Sequence, residues 1–292
     1  MKPQPKEEEP MEQKKFGPYG YIGLLLILFA QLSLALKLRT ITVWTTPVAW
    51  TGYILFVDAL LFKFRGNSLI MTRTREFLAI LPLSIGFWLI FEWYNLFIQN
   101  WHYINLPQKL WVRWIGYGWS FATIMPGIFE TTEAVEGWDI FGRTRRRLRI
   151  TRTLLYSFII AGAACLMLPL VSPLKYARYM AALVWGGFIF LLEPVNYLLG
   201  ADSILRDWQQ GRFNKFFSLL LGGLICGLLW EYWNFWAYTK WIYTVPILGD
   251  IKIFEMPVVG YLGFPAFAVE LYVMYSSAKL LKARVARSLF SD

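Results

Sequence analysis

Charge is scarce in this sequence: Asp, Glu, Lys and Arg make up 16% of 292 residues, where a soluble domain carries about 25%. Histidine occurs once, as His102, and cysteine twice, as Cys165 and Cys226, both inside apolar runs. A disulfide framework and a metal knuckle are therefore not indicated. One imidazole is too few for bis-His haem, di-iron or zinc catalysis. No Gly-rich phosphate loop and no Ser-His-Asp order occur, which removes nucleotide-driven chemistry and triad hydrolysis. No metal and no cofactor are expected.

What is abundant is apolar and aromatic. Hydrophobic residues are 57% and aromatics 18%, with a mean hydropathy of +0.44. These values exclude disorder and a soluble globule, and they indicate a polytopic membrane protein. After a polar stretch, MKPQPKEEEPMEQKK, the first apolar run covers Tyr19 to Leu36. Seven more follow at 43–62, 77–100, 114–130, 153–172, 179–199, 216–239 and 257–278. Each approaches the ~20 residues needed to span a bilayer, and helices satisfy their own backbone in lipid. The expected fold is an all-α integral membrane protein with eight transmembrane helices.

Basic residues in the connections set the orientation. With the N-terminus cytoplasmic, 21 of the 29 Lys and Arg fall in cytoplasmic segments and 8 in the opposite ones. The positive-inside rule then predicts both termini in the cytoplasm. The run RTRRRLR (143–149) reads as a topology determinant against anionic headgroups, not as a nucleic-acid site. Membrane lipids are the expected partners, with an apolar small molecule and a homo- or hetero-oligomer open as further ones.

The chain also repeats itself. WTGYILFVD (50–58) matches WGGFIFLLE (185–193), and FEWYN (91–95) matches WEYWN (230–234). Trp101-His102-Tyr103 then matches Trp241-Ile242-Tyr243. The expected organisation is a polar tail (1–18), a four-helix repeat (19–136), an Arg-rich cytoplasmic loop (137–152), a second four-helix repeat (153–282) and a cytoplasmic tail (283–292). With an even number of spans in each, the repeats are parallel, and a cavity between them is the natural place for a site.

Acids inside the spans are costly, by about 2.5–3.5 kcal/mol each, and so tend to carry function. They fall into two layers by depth at ~1.5 Å per residue. Glu92 and Glu231 lie in the outer layer. Asp58, Glu130, Glu193 and Glu270 form the second, inner layer. Glu-x-x-Asn places Asn95 and Asn234 one turn from the outer acids, on the same helix face. A buried carboxyl stays protonated near neutrality and can act as a general acid. The competing reading is interhelical glue, Glu and Asn bonding across helices without chemistry.

Aromatics crowd these acids: Trp88, Trp93, Tyr94, Trp230, Tyr232, Trp233 and Trp236 beside them, and Trp101, Tyr103, Trp241 and Tyr243 just beyond. An interfacial aromatic belt accounts for many of them. Rings around an acid would also hold a polyene or stabilise a carbocation. The order acid, Trp-x-Tyr, Pro and Gly loop, Pro-containing helix resembles the integral-membrane carotenoid enzymes, the small lycopene cyclases and carotenoid hydratases. Here it reads Glu92…Trp101-His102-Tyr103…Pro107 and Glu231…Trp241-Ile242-Tyr243…Pro246…Gly249…Phe254-Glu255-Met256-Pro257. The Pro-x-Glu-Glu signature of those cyclases is absent, with FEMP (254–257) as the nearest stretch. The resemblance implies non-redox protonation of a polyene, with Glu92, Glu231, Asn95 and Asn234 as catalytic residues and the neighbouring aromatics as substrate walls. Two other classes stay open: a proton- or cation-coupled transporter or channel using the layered acids, and a structural subunit of a membrane complex.

Overall fold

The computed structural model describes residues 14–142 and 147–289. Residues 1–13, 143–146 and 290–292, which hold parts of both predicted tails and of the Arg-rich loop, lie outside the described residues. The chain runs through α1 (Pro18–Ala35), α2 (Arg39–Thr42), α3 (Thr45–Arg65), α4 (Thr74–Ile98), β1 (Trp101–Ile104), α5 (Leu110–Ala122) and α6 (Ile124–Gly137). It continues through α7 (Arg152–Val171), α8 (Leu174–Ala177), α9 (Ala181–Leu199), α10 (Ile204–Gln209), α11 (Asn214–Trp236) and β2 (Lys240–Tyr243). The short strands β3 (Lys252–Ile253) and β4 (Met256–Pro257), a 3₁₀ turn (Val258–Leu262) and α12 (Gly263–Leu289) complete it.

Among the described residues, seven helices are long and apolar enough to cross a membrane: α1, α3, α4, α7, α9, α11 and the stretch 258–288, which covers all but the last residue of α12. The protein is therefore all-α and multi-pass in character. Leu25, Leu96 and Ile160 project from these helices uncovered, as side chains facing lipid would.

The run expected to be one span at 114–130 is two shorter helices, α5 and α6, with Thr123 between them. Pro126 has no N–H to give the carbonyl four residues back, so the helical ladder is interrupted there. Side chains bond the neighbouring backbone groups at the break. Ser84 Oγ donates to the Phe121 carbonyl at 2.5 Å and accepts from the Met125 amide at 3.0 Å. Thr123 Oγ1 donates back to the Ser120 carbonyl at 2.7 Å.

Small residues set the helix contacts, since lipid offers no hydrophobic drive between helices and backbones must come close. A methyl group on Gly23 of α1 would lie 2.5 Å from the Gly52 carbonyl oxygen of α3. On Gly223 of α11 it would lie 2.5 Å from the Phe264 carbonyl oxygen of α12. The α7–α9 pair meets in the same way, and a methyl group on Gly162 would lie 2.3 Å from the Leu191 amide nitrogen.

β1 and β2 pair antiparallel, with Trp101 opposite Tyr243 and Tyr103 opposite Trp241. They follow the C-terminal ends of α4 and α11, so this end of the bundle is called the sheet end. The asparagines fasten it. Asn95 Nδ2 donates to the Trp101 carbonyl at 2.8 Å, and Asn234 Nδ2 to the Trp241 carbonyl at 2.9 Å. Their side-chain oxygens accept from the amides of Asn100 at 2.9 Å and of Trp241 at 2.9 Å.

The opposite end is held by ion pairs. Arg73 meets Glu133 at 2.5 Å and Lys215 meets Glu136 at 2.5 Å.

Candidate functional site: an aromatic cavity at the sheet end

A cavity of about 430 Å³ opens at the sheet end, bounded by residues of both sequence halves. That size falls within the ~300–1,000 Å³ of small-molecule pockets. Strand alternation places Trp101 and Tyr103 on one face of β1, and Trp241 and Tyr243 on one face of β2. All four line the cavity, while His102 on the other face is exposed and does not. Trp50, Trp88, Trp185 and Trp230 continue the lining on the helices.

Phe267 of α12 packs beneath, within 5.2 Å of Trp185, 5.7 Å of Trp88 and 6.3 Å of Trp230, ring centre to ring centre. Trp50 and Trp230 lie 4.8 Å apart, and Phe91 stacks on Trp185 at 5.0 Å.

The outer acids stand one layer behind this surface. Glu92 Oε1 accepts from Tyr103 Oη at 2.5 Å, from Trp88 Nε1 at 2.8 Å and from Trp101 Nε1 at 3.1 Å. Glu231 Oε1 accepts from Tyr243 Oη at 2.8 Å, and Tyr243 Oη in turn accepts from Trp241 Nε1 at 2.8 Å. Each acid reaches the cavity through a tyrosine hydroxyl. Both tyrosines are pushed well above the usual tyrosine pKa, first by burial and then by the charge of the adjoining glutamate. They are neutral donors at physiological pH.

Of the aromatics expected around the acids, Trp88, Trp101, Tyr103, Trp230, Trp241 and Tyr243 line the cavity. Trp93 does not: it is 47% exposed on the far side of α4. Tyr232 is also exposed, and its hydroxyl donates to Gln31 Oε1 at 3.2 Å. Tyr94 is buried and donates to the Leu166 carbonyl at 3.3 Å, while Trp233 packs on Trp50 at 5.1 Å. Asn95 and Asn234 are occupied in fastening the sheet, as described above.

Two acids of the second layer clamp loops in the same way. Asp58 accepts from Ser68 Oγ at 2.9 Å, from the Ile70 amide at 2.7 Å and from Tyr19 Oη at 2.7 Å. Glu193 accepts from Ser203 Oγ at 2.6 Å and from the Leu205 amide at 2.9 Å. Glu130 is fully buried next to Asp58. Glu270 accepts from the Phe188 amide at 3.3 Å. Phe188 precedes Glu193 by five residues on α9, about 7.5 Å toward the sheet end.

The sequence reading missed Phe267, Phe121 and Tyr117 as cavity residues, and it used Trp50 and Trp185 only as repeat markers. Their matched positions at the heads of two spans were the available signal. It also missed Arg113 and Arg178, which line the cavity from α5 and from the turn before α9. Among the described residues, no group of three or more His, Cys, Asp or Glu could hold a metal ion. Compared with known protein families, with curated proteins and with solved structures, the chain matches none.

Proposed function

We propose that this protein is an intramembrane enzyme of the non-redox, proton-transfer type. Its substrate is a polyprenoid, a carotenoid or another lipid whose apolar chain enters the aromatic cavity. The observation that carries the reading is the pair of Tyr–Glu units, Tyr103–Glu92 and Tyr243–Glu231, set on two strands at one cavity.

In each unit the hydroxyl hydrogen lies toward the glutamate, and the phenol oxygen, which on Tyr243 also accepts the Trp241 indole hydrogen, keeps a lone pair for a ligand. The unit can accept a proton from carbon while the tyrosine passes its own to the carboxylate. Run in reverse, it delivers a proton to a double bond: a C–H bond forms, the π bond breaks, and the resulting cation lies among Trp and Phe rings, which favour positive charge over their faces. Loss of a proton to the other unit gives a cyclised or isomerised product, and capture of water, with its extra proton passed to that same unit, gives a hydrated one.

The two sequence halves act as copies in this reading, joined through β1 and β2. The matched hydrogen bonds of Asp58 with Ser68 and of Glu193 with Ser203 support it. We place the sheet end outside and both termini in the cytoplasm, on the strength of the charge bias. Transport through the acid layers receives less support, because Trp50, Phe91, Trp185 and Phe267 stand as an apolar floor where a polar path would be needed.

The test is deuterium transfer. Membranes containing the protein, incubated in deuterated water with polyprenoid and carotenoid extracts, should yield a product labelled at carbon. The Tyr103→Phe/Tyr243→Phe and Glu92→Gln/Glu231→Gln double variants should lose the label while remaining folded. Equal labelling by the variants would end this reading.

A further inference from the structure

The two Tyr–Glu units match in sequence but not in hydrogen bonding, and the difference begins in α4 and α11. At the offset that aligns FEWYN with WEYWN, Trp88 corresponds to Gly227. Each stands one turn before its glutamate. Trp88 Nε1 donates to Glu92 Oε1 at 2.8 Å. Gly227 has nothing to donate, and a methyl group on it would lie 2.2 Å from the Phe264 ring that fills the space. The strand tryptophans diverge as well. Trp101 Nε1 donates to Glu92 Oε1 at 3.1 Å, but Trp241 Nε1 donates to Tyr243 Oη at 2.8 Å.

Glu92 Oε1 thus accepts three hydrogen bonds, from Tyr103 and two indoles. Glu231 Oε1 accepts one, from Tyr243, and Glu231 Oε2 is buried without a partner. Glu231 is fully buried, whereas Glu92 is partly exposed. Among the described residues neither makes an ion pair, and the one acid beside Glu231, Glu255, is taken up by Lys240. The other ionisable groups facing them are tyrosines: Tyr243 and Tyr261 at Glu231, Tyr103 and Tyr117 at Glu92. Three donors on one oxygen favour a carboxylate, while a buried carboxyl with one donor and no cation is costly as an anion.

From this difference we infer that the units start in opposite states: Glu231 holds a proton and supplies it through Tyr243, and Glu92 is the carboxylate that receives one through Tyr103. The inference rests on the proposed function and gives that reaction a direction. With Glu231 protonated, the Tyr243 hydrogen is free to turn from the carboxyl to the substrate. It passes to one carbon of a double bond, and the Glu231 proton replaces it on the phenol oxygen. A C–H bond forms, the π bond breaks, and Glu231 is left ionised. The cation then loses a proton from a neighbouring carbon to the Tyr103 oxygen. The electrons of that C–H bond form the new π bond, and the Tyr103 hydrogen passes to Glu92. Water admitted to the empty cavity takes this proton away and restores the one on Glu231.

The experiment uses the full chain in detergent and the single variants Glu231→Gln and Glu92→Gln. Infrared spectra in water and in deuterated water are read for protonated-carboxyl and carboxylate stretches. The difference between wild type and Glu231→Gln should show a lost protonated carboxyl, and that for Glu92→Gln a lost carboxylate. Aspartate at either position should shift the same band, and it serves where glutamine prevents folding. Melting temperature and farnesol quenching of the cavity tryptophans should be retained in the variants that are compared. In deuterated water with polyprenoid and carotenoid extracts, Glu231→Gln should lose the label from product and from recovered substrate. Glu92→Gln should lose the product yet leave deuterium in recovered substrate, because the Tyr243 unit takes back a hydrogen from the carbon it protonated.

A lost carboxylate in Glu231→Gln, a lost protonated carboxyl in Glu92→Gln, or the same change in both would overturn the assignment. Unlabelled substrate recovered from folded Glu92→Gln would overturn the direction of transfer. Failure of the proposed function looks different: no label from the wild type at all, with the infrared assignment intact. That result removes the transfer and leaves the two charge states standing.

Discussion

Tyr243 gives its hydroxyl hydrogen to Glu231 at 2.8 Å while taking the indole hydrogen of Trp241, so one side chain links β2 to α11. The corresponding bond from Tyr103 to Glu92, at 2.5 Å, is one of three that Glu92 Oε1 accepts. The two matched sites therefore differ in redundancy. Tyr243→Phe takes the phenol donor from Glu231 Oε1 and the acceptor from Trp241 Nε1 together, whereas Tyr103→Phe leaves Glu92 Oε1 still bonded to two tryptophans. An unsatisfied buried polar group costs about 1–3 kcal/mol. Tyr243→Phe should therefore lower the melting temperature by several degrees and Tyr103→Phe by clearly less. Equal shifts in detergent-solubilised protein would contradict the asymmetry.

These tyrosines also predict an alkaline limit to stability. Their hydroxyls are held well above the ordinary value, first by burial and then by the adjoining glutamates. Above the unfolded value of ~10, the unfolded chain releases protons that the folded protein still holds. The stability they contribute is thus complete below about pH 10 and declines as pH rises beyond it. Tyr103→Phe/Tyr243→Phe should flatten this decline. Melting curves taken near pH 8 and near pH 11 check it, and an unchanged slope in the double variant would refute it.

The loop clamps give a third expectation. Asp58 accepts three hydrogen bonds and Glu193 two, each from a serine ten residues on and an amide twelve residues on. Ser203→Ala should cost about 1–3 kcal/mol, because it strips Glu193 of its side-chain donor and the Arg206 amide of its cap. Asp58→Ala should cost more than Glu193→Ala, since Tyr19 adds a third donor and anchors α1. Farnesol binding at the distant cavity should be unaffected in the Ser203→Ala protein. Loss of binding there would mean that the clamp and the cavity are coupled.

How much of this could be read beforehand depended on whether a signal survives in an all-apolar helix. The acids and the Glu-x-x-Asn spacing could be found because polar residues stand out in apolar runs. The role of each could not. Asn95 and Asn234 bond to strand backbone that follows a turn, and no helical periodicity reports that. α4 is apolar around its whole circumference, so nothing in the pattern separates Trp88, which lines the cavity, from Trp93, which points away. Five residues apart, they differ by about 140° around the helix, but the direction of the cavity is set by α9, α11 and α12. The split at Thr123 was legible in principle from Pro126. Hydropathy alone ran the apolar stretch straight through it.

Orientation can be settled by labelling. With Cys165 and Cys226 replaced by serine and alanine, single cysteines at Leu148 and at Leu248 both lie on exposed backbone. Leu148 belongs to the Arg-rich connection and Leu248 to the loop after β2. In intact cells an impermeant thiol reagent should modify the cysteine at 248 and spare that at 148. The reverse pattern would invert the proposed topology, and modification of both would contradict opposite placement of the two ends.

The α1–α3 contact supplies the most direct test of the packing. Gly23 and Gly52 face each other so closely that a methyl on either would lie 2.5–2.6 Å from the other's carbonyl oxygen, a rigid backbone atom. Neither helix can yield locally, so Gly23→Ala must push α1 away from α3 along its length. The same displacement would pull Tyr19, one turn earlier on α1, from Asp58 and open the clamp there. Gly86 in the middle of α4 is the control: an added methyl there meets nothing within 4 Å, and alanine is the better helix former. Gly86→Ala should leave the melting temperature unchanged or slightly raised. Gly23→Ala should lower it by several degrees and weaken disulfide trapping between cysteines placed on facing positions of α1 and α3. Efficient trapping and an unaltered melting temperature in Gly23→Ala would show that α1 does not dock through this glycine pair.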